Sequence, residues 1–158
     1  MNPTEQPPMT ALLAGLGRDA TARARRALRP LGLGAQEYLV LDQLRVLGQA
    51  SQTELADALG IDRSNLATIA AELCDRGLAE RSRDHADRRR YVLRLSPAGA
   101  RLLTRTEGAI GAAEDELLAP LDRDRRDQLY DLLRRLADGV DLCPVPSRIA
   151  GADGQNAC

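Results

Sequence analysis

Lysine, phenylalanine and tryptophan do not occur in this chain, and tyrosine occurs only three times in 158 residues. A core without large aromatics has to be built from Leu, Ala, Val and Ile, which suits packed helices. Cysteine is scarce as well. Cys74, Cys143 and Cys158 form no CxxC pair, so reduced, incidental thiols are expected rather than a disulfide framework. No apolar run approaches the ~18 residues that a membrane span requires. The first ten residues, MNPTEQPPMT, lack the basic start and apolar core of a signal peptide. The expectation is a soluble, cytoplasmic chain without membrane contact. Enzyme signatures are missing too: there is no GxSxG, no HExxH, no glycine-rich phosphate loop, and a single histidine to serve as a base. No enzyme and no cofactor are expected.

What is present is one domain's worth of chain, 44% apolar and nearly neutral at a formal charge of −1. The charge is unevenly spread. Residues 81–94 contain Arg81, Arg83, Arg88, Arg89, Arg90 and Arg94 against Asp84 and Asp87, whereas 107–127 hold seven acids against three arginines. One short stretch is strongly basic, and its neighbourhood decides what that means.

Residues 1–9 carry three prolines and read as a flexible arm. From Thr10 to Arg29, Leu13, Leu16, Ala20, Ala24 and Ala27 recur at helical spacing until Pro30. QEYLVLDQLRVL is a second helix, apolar nearly all round and therefore expected to be buried. In SQTELADALG, Ser51 and Glu54 have capping-box spacing, and Gly60 closes the helix. IDRSNLATIAAELCDRG opens on Asp62 as N-cap and carries Leu66, Ile69, Ala70 and Leu73 on one face. Two short capped helices joined tightly make a helix-turn-helix. LAERSR and YVLRL are strand-like segments around a charged tip, hence a hairpin. Ser96-Pro97 starts a long helix to about residue 117. DRDRRDQLYDLLRRLAD is a last amphipathic helix, with Leu129, Leu132, Leu133 and Leu136 expected inward. From residue 139 periodicity is lost, so a mobile tail is expected over 139–158.

The fold class is thus mainly α (α+β): a winged helix-turn-helix flanked by helices. In LGLGAQEYLVLDQL, SQTELADALGIDRSNLATIAAELCDRGLAER, DHADRRRYVLRLSPAGARLL and QLYDLLRRLAD the chain resembles the MarR family of bacterial transcription regulators, over about residues 10–138. The resemblance implies a homodimer on a pseudo-palindromic double-stranded DNA operator, often a repressor released by a small ligand or oxidant. It places the DNA-binding lobe at about 35–95 and dimerisation helices at 10–30 and 97–138. Many relatives carry a basic residue where this chain has Thr68, so operator sequences do not carry over.

With one face of the second helix-turn-helix segment packed inward, Arg63, Ser64, Asn65 and Thr68 point outward, where Asn reads adenine and Arg reads guanine. The bland reading is a solvated helix face. Ser51, Gln52 and Thr53 start the preceding helix, where N–H groups favour phosphate. In the wing, Arg88, Arg89 and Arg90 suit a narrow minor groove, and Arg81 and Arg83 suit phosphate. A run of charge alone would be a solvated loop, but this one sits at a hairpin tip beside a reading helix. Asp87 is expected to orient Arg89 rather than touch DNA. His85, the only histidine, reads as solvent-exposed rather than as a metal ligand. Cys74 reads as a packed thiol rather than a redox sensor. Tyr38 either lines the effector pocket that the resemblance implies, for a small apolar or phenolic molecule, or fills the core. The rival to a DNA-binding regulator is a winged-helix protein-interaction scaffold, which would not need five arginines within residues 81–90.

Overall fold

A computed structural model describes residues 7–84 and 88–139; most of the expected arm, His85 and Asp87 at the tip, and the tail from 140 lie outside the described residues. Among the described residues there are six α-helices, a single 3-10 turn and three strands.

Helix α1 (Met9–Leu28) begins one residue earlier than its apolar pattern and follows Pro8, whose carbonyl accepts from Ala11 N–H at 2.9 Å. A 3-10 turn containing Pro30 follows it, and Gly32 closes the turn at φ +65°, a conformation that costs glycine little. Helix α2 (Ala35–Leu47) buries Tyr38, Val40, Leu41 and Leu44 as expected, together with Asp42, whose carboxylate accepts from Arg45 at 2.5 Å. Its last residues, Val46 and Leu47, are exposed.

Strand β1 (Gln49–Ala50) leads into α3 (Gln52–Leu59). The capping box is complete: the Ser51 hydroxyl accepts from Glu54 N–H, and the Glu54 carboxylate accepts from Ser51 N–H. Gly60 ends α3 in the left-handed conformation. Helix α4 (Arg63–Asp75) starts on Asp62, which accepts from the N–H groups of Ser64 and Asn65. Leu66, Ile69, Ala70 and Leu73 are all buried. A cap contributes about 1 kcal/mol and each fully buried leucine about 1.5–3 kcal/mol. Caps therefore set where α4 begins, and packing sets which side faces in.

Strands β2 (Ala79–Arg83) and β3 (Tyr91–Leu95) form the expected hairpin, pairing Ala79 with Leu95 and Arg83 with Tyr91. The sheet has a third member. β1 pairs antiparallel with β3 through Gln49–Arg94 and Ala50–Leu93, giving the order β1-β3-β2. Two residues show no alternation, so this strand leaves no mark in the sequence; Arg94 and Gln49 also hydrogen-bond through their side chains.

Helix α5 (Pro97–Leu117) starts where Ser96-Pro97 suggests. The Ser96 hydroxyl accepts from Gly99 N–H at 2.9 Å and donates to the Gly77 carbonyl at 2.6 Å. Gly99 is required there, because a Cβ would stand 2.1 Å from the Leu78 carbonyl oxygen. Helix α6 (Arg123–Asp138) opens with Asp122 accepting from Arg125 N–H at 3.0 Å. Its leucines do not face inward. Leu132, Leu133 and Leu136 are 59%, 45% and 58% exposed, and Leu129 is half-buried. The amphipathic pattern is present, but no described segment of the chain covers its apolar side. Leu12, Leu13 and Leu16 of α1 are exposed in the same way.

The chain forms two compact units. One comprises residues 7–35 with Thr104–Leu136; the other is built on Gln36–Leu103 and contains the helix-turn-helix and the whole sheet.

Candidate nucleic-acid interface

The apolar stripe of α4 leaves Arg63, Ser64, Asn65 and Thr68 together on its exposed side, near the helix start. They are not equally free. Ser64 N–H and O–H both donate to Asp62. Thr68 O–H donates to the Ser64 carbonyl at 3.2 Å. Asn65 Nδ2 donates to Gln36 Oε1 at 3.2 Å, and Arg63 stands 3.9 Å from Asp57. The Ser64 hydroxyl, with the N–H groups of Asn65 and Ser64, holds the Asp62 carboxyl below its ordinary pKa.

At the start of α3, Ser51 is buried and committed to the capping box. Its hydroxyl is therefore a poor candidate for contact with a ligand. The box takes the N–H groups of Ser51 and Glu54, which leaves those of Gln52 and Thr53 as the uncapped donors of the first turn.

The hairpin orders its arginines with an aromatic ring. Arg81 and Arg83 lie one pleat apart on β2, and both guanidinium groups stack on Tyr91, at 4.3 and 4.9 Å from the ring centroid. Arg83 also donates to the Arg88 carbonyl at 2.6 Å, bracing the tip. Arg88 and Arg89 are exposed at that tip. Arg90 is directed elsewhere: its Nη2 donates to Glu54 Oε1 at 3.1 Å and to the Ser51 hydroxyl at 3.4 Å. As a result Ser51, Gln52, Thr53, Arg81, Arg90 and Tyr91 line one groove of about 400 Å³. Two groups of residues read separately from the sequence, the start of α3 and the wing arginines, share this groove.

Several participants were not singled out from the sequence. Tyr91 was seen only as a strand residue, although its register opposite Arg83 carries the signal once the hairpin is paired. Glu54 as a partner of Arg90 and Gln36 as a partner of Asn65 are long-range side-chain pairings with no local signature, and Asp57 stands beside Arg63 across the turn between α3 and α4.

Tyr38 is buried on α2. A second hollow, lined by Arg25, Arg29, Leu33 and neighbouring glycines, lies in the other unit, and Tyr38 lines neither hollow. Cys74 is half-buried on α4, and burial raises its pKa. Among the described residues no cluster of three His, Cys, Asp or Glu side chains suits a metal, and no helix is long and apolar enough to cross a membrane.

Residues 33–91 match the model of the MarR family. That segment is a MarR-family domain. The matched segment runs from the loop before α2, through the helix-turn-helix and β2, to the first residue of β3, so it contains the exposed face of α4, the start of α3 and the hairpin arginines with Tyr91. A candidate regulatory protein for the hcr operon of Thauera aromatica is 37% identical over 86 residues, 54% of this chain and 52% of that protein. The chain thus spans about half the length of the curated relative it matches. Among solved structures, a DNA complex of the Mycobacterium tuberculosis MarR family protein Rv2887 is 25% identical, with a TM-score of 0.72 over 84% of this chain and 99% of that one. Bordetella bronchiseptica BpsR, whose DNA binding is regulated by 6-hydroxynicotinic acid, is also 25% identical, with a TM-score of 0.69 over 87% and 97%. The fold is the MarR winged helix-turn-helix, mainly α with a small three-stranded antiparallel sheet.

Proposed function

We propose that this chain is a sequence-specific double-stranded-DNA-binding transcription regulator, and that it acts as a homodimer on a pseudo-palindromic operator. The observation that carries the reading is the groove that unites the first turn of α3 with Arg81 and Arg90, in the unit that also presents the exposed face of α4. N–H groups at a helix start and arginine forks are phosphate ligands. Arg63, Ser64, Asn65 and Thr68 are assigned to base edges in the major groove, and Arg88 and Arg89 to the minor groove. Arg81, Arg83 and the α3 start are assigned to phosphate, and Asp87 to orienting Arg89. About residues 35–95 form the DNA-binding lobe in this reading. The exposed leucines of α1 and α6 are its dimer faces, within 10–30 and 97–138.

The finer proposal is a cytoplasmic repressor released by a small apolar or phenolic effector, with Tyr38 touching that effector. The hydroxylated aromatic acid that regulates BpsR supports this class of molecule. Selection of bound fragments from random duplex DNA tests the DNA reading. It should converge on a site with two half-sites centred about 10 bp apart. Failure to enrich any duplex would leave the protein-scaffold reading in its place. Screening phenolic compounds against the selected site tests the effector, and Tyr38→Ala should impair release more than binding.

A further inference from the structure

We propose that Glu54 is a positioning residue for DNA binding, holding the Arg90 guanidinium in the groove at the start of α3 so that it meets a backbone phosphate there. The inference rests on the DNA-binding reading and adds to it a residue of the opposite charge to the ligand. The two carboxylate oxygens of Glu54 have different tasks. Oε2 accepts from Ser51 N–H at 2.7 Å and from the Ser51 hydroxyl at 2.8 Å, which pins the carboxylate to the first turn of α3. Oε1 is thereby fixed in space, and it accepts from Arg90 Nη2 at 3.1 Å. The other end of Arg90 is fixed as well, because its carbonyl accepts from Asp84 N–H at 3.0 Å at the base of the wing tip.

A long side chain anchored at both ends keeps little rotamer freedom to lose when a ligand arrives. A guanidinium has five N–H donors, so donors remain after Glu54 and Ser51 are served. Arg90 lines its groove together with Arg81, Gln52 and Thr53, the last two carrying the uncapped N–H groups of the first turn of α3. The carboxylate also repels an incoming phosphate. The pair is about half exposed, at 49% for Arg90 and 55% for Glu54, so that repulsion is screened by solvent and salt. The geometric anchoring is not screened, and it decides the sign. Arg90 is thereby moved from the minor-groove set to the phosphate set, away from Arg88 and Arg89.

The test uses the full chain and fluorescence anisotropy on two duplexes, the selected operator and an unrelated sequence, across a salt series. Glu54→Gln keeps the capping box, which accepts Glu or Gln at this position, and removes the charge. Binding to both duplexes should weaken by about fivefold at low salt, and Glu54→Gln should add nothing further in an Arg90→Ala background. Unchanged or tighter binding by Glu54→Gln, or the same loss with and without Arg90, would overturn the proposal. If Glu54→Gln does not fold, Glu54→Asp carries the test, since aspartate keeps the charge but is one methylene too short to cap Ser51 and reach Arg90 together: weakened binding to both duplexes that vanishes in an Arg90→Ala background supports the proposal, and full binding, or a loss that persists without Arg90, overturns it. If the unaltered chain binds neither duplex, the DNA reading itself has failed.

Discussion

Asn65 donates from Nδ2 to Gln36 Oε1 at 3.2 Å, joining the start of α4 to the start of α2 across 29 residues of chain. An amide that reads adenine must present its acceptor and a donor in a fixed order, and one of the two Nδ2 protons is spoken for by Gln36. Asn65→Ala should cost roughly 1–3 kcal/mol on the selected operator and little on unrelated DNA. Gln36→Ala should produce a smaller loss of the same kind. Competition binding on duplexes altered at single positions checks both. Equal losses on operator and unrelated DNA would remove Asn65 from base reading.

Tyr91 organises two arginines. Replacing it by Leu keeps a β-capable residue opposite Arg83 but removes the ring on which Arg81 and Arg83 stack. Exposed cation–π pairs are worth about 0.5–1 kcal/mol each, so folding stability should change little. Affinity should fall alike for operator and unrelated DNA, because the stacked arginines serve phosphate in this account. Anisotropy titrations on the two duplexes, paired with thermal melts, separate these effects.

Asp62 predicts a pH dependence. Hydrogen bonds from Ser64 and Asn65 depress its folded-state pKa. The stabilisation is therefore fully present above the ordinary carboxylate range, near pH 4, and is lost as pH falls through the depressed value. Asp62→Asn keeps a capping acceptor that does not titrate. The melting temperature of the unaltered chain should fall more between pH 7 and pH 3 than that of Asp62→Asn. Parallel curves would show that this cap contributes nothing to the acid response.

The exposed leucines of α6 predict the assembly. Sedimentation should give twice the 17.1 kDa chain mass at micromolar concentration. Leu132→Asp with Leu136→Asp should shift the chain to monomer while leaving the Gln36–Leu103 unit folded, as judged by hydrogen exchange of its amides. A monomeric unaltered chain that still binds a full operator tightly would contradict the dimer.

The elements were legible where their cause is local. The Ser51–Glu54 box, Asp62 before α4, Gly60 after α3 and Ser96-Pro97 before α5 each act within four residues, and each appears as read. What escaped depends on distance along the chain. β1 exists only because Gln49 and Ala50 meet β3 some 45 residues later. Arg90 looked like one of three equivalent tip arginines until Glu54, 36 residues earlier, claimed it. The leucines of α6 were read correctly as a stripe and wrongly as inward, since periodicity gives a face but does not name its cover.

On the proposed function, the arginines are gathered on this hairpin because duplex DNA meets it there. The most direct measurement is the salt dependence of affinity for the unaltered chain and Arg89→Ala, on operator and unrelated duplex alike. Arg89→Ala should weaken binding to both and reduce the slope of log affinity against log salt by about one unit per altered subunit. An unchanged affinity and an unchanged slope would make the arginine-rich tip a solvated turn and contradict the account.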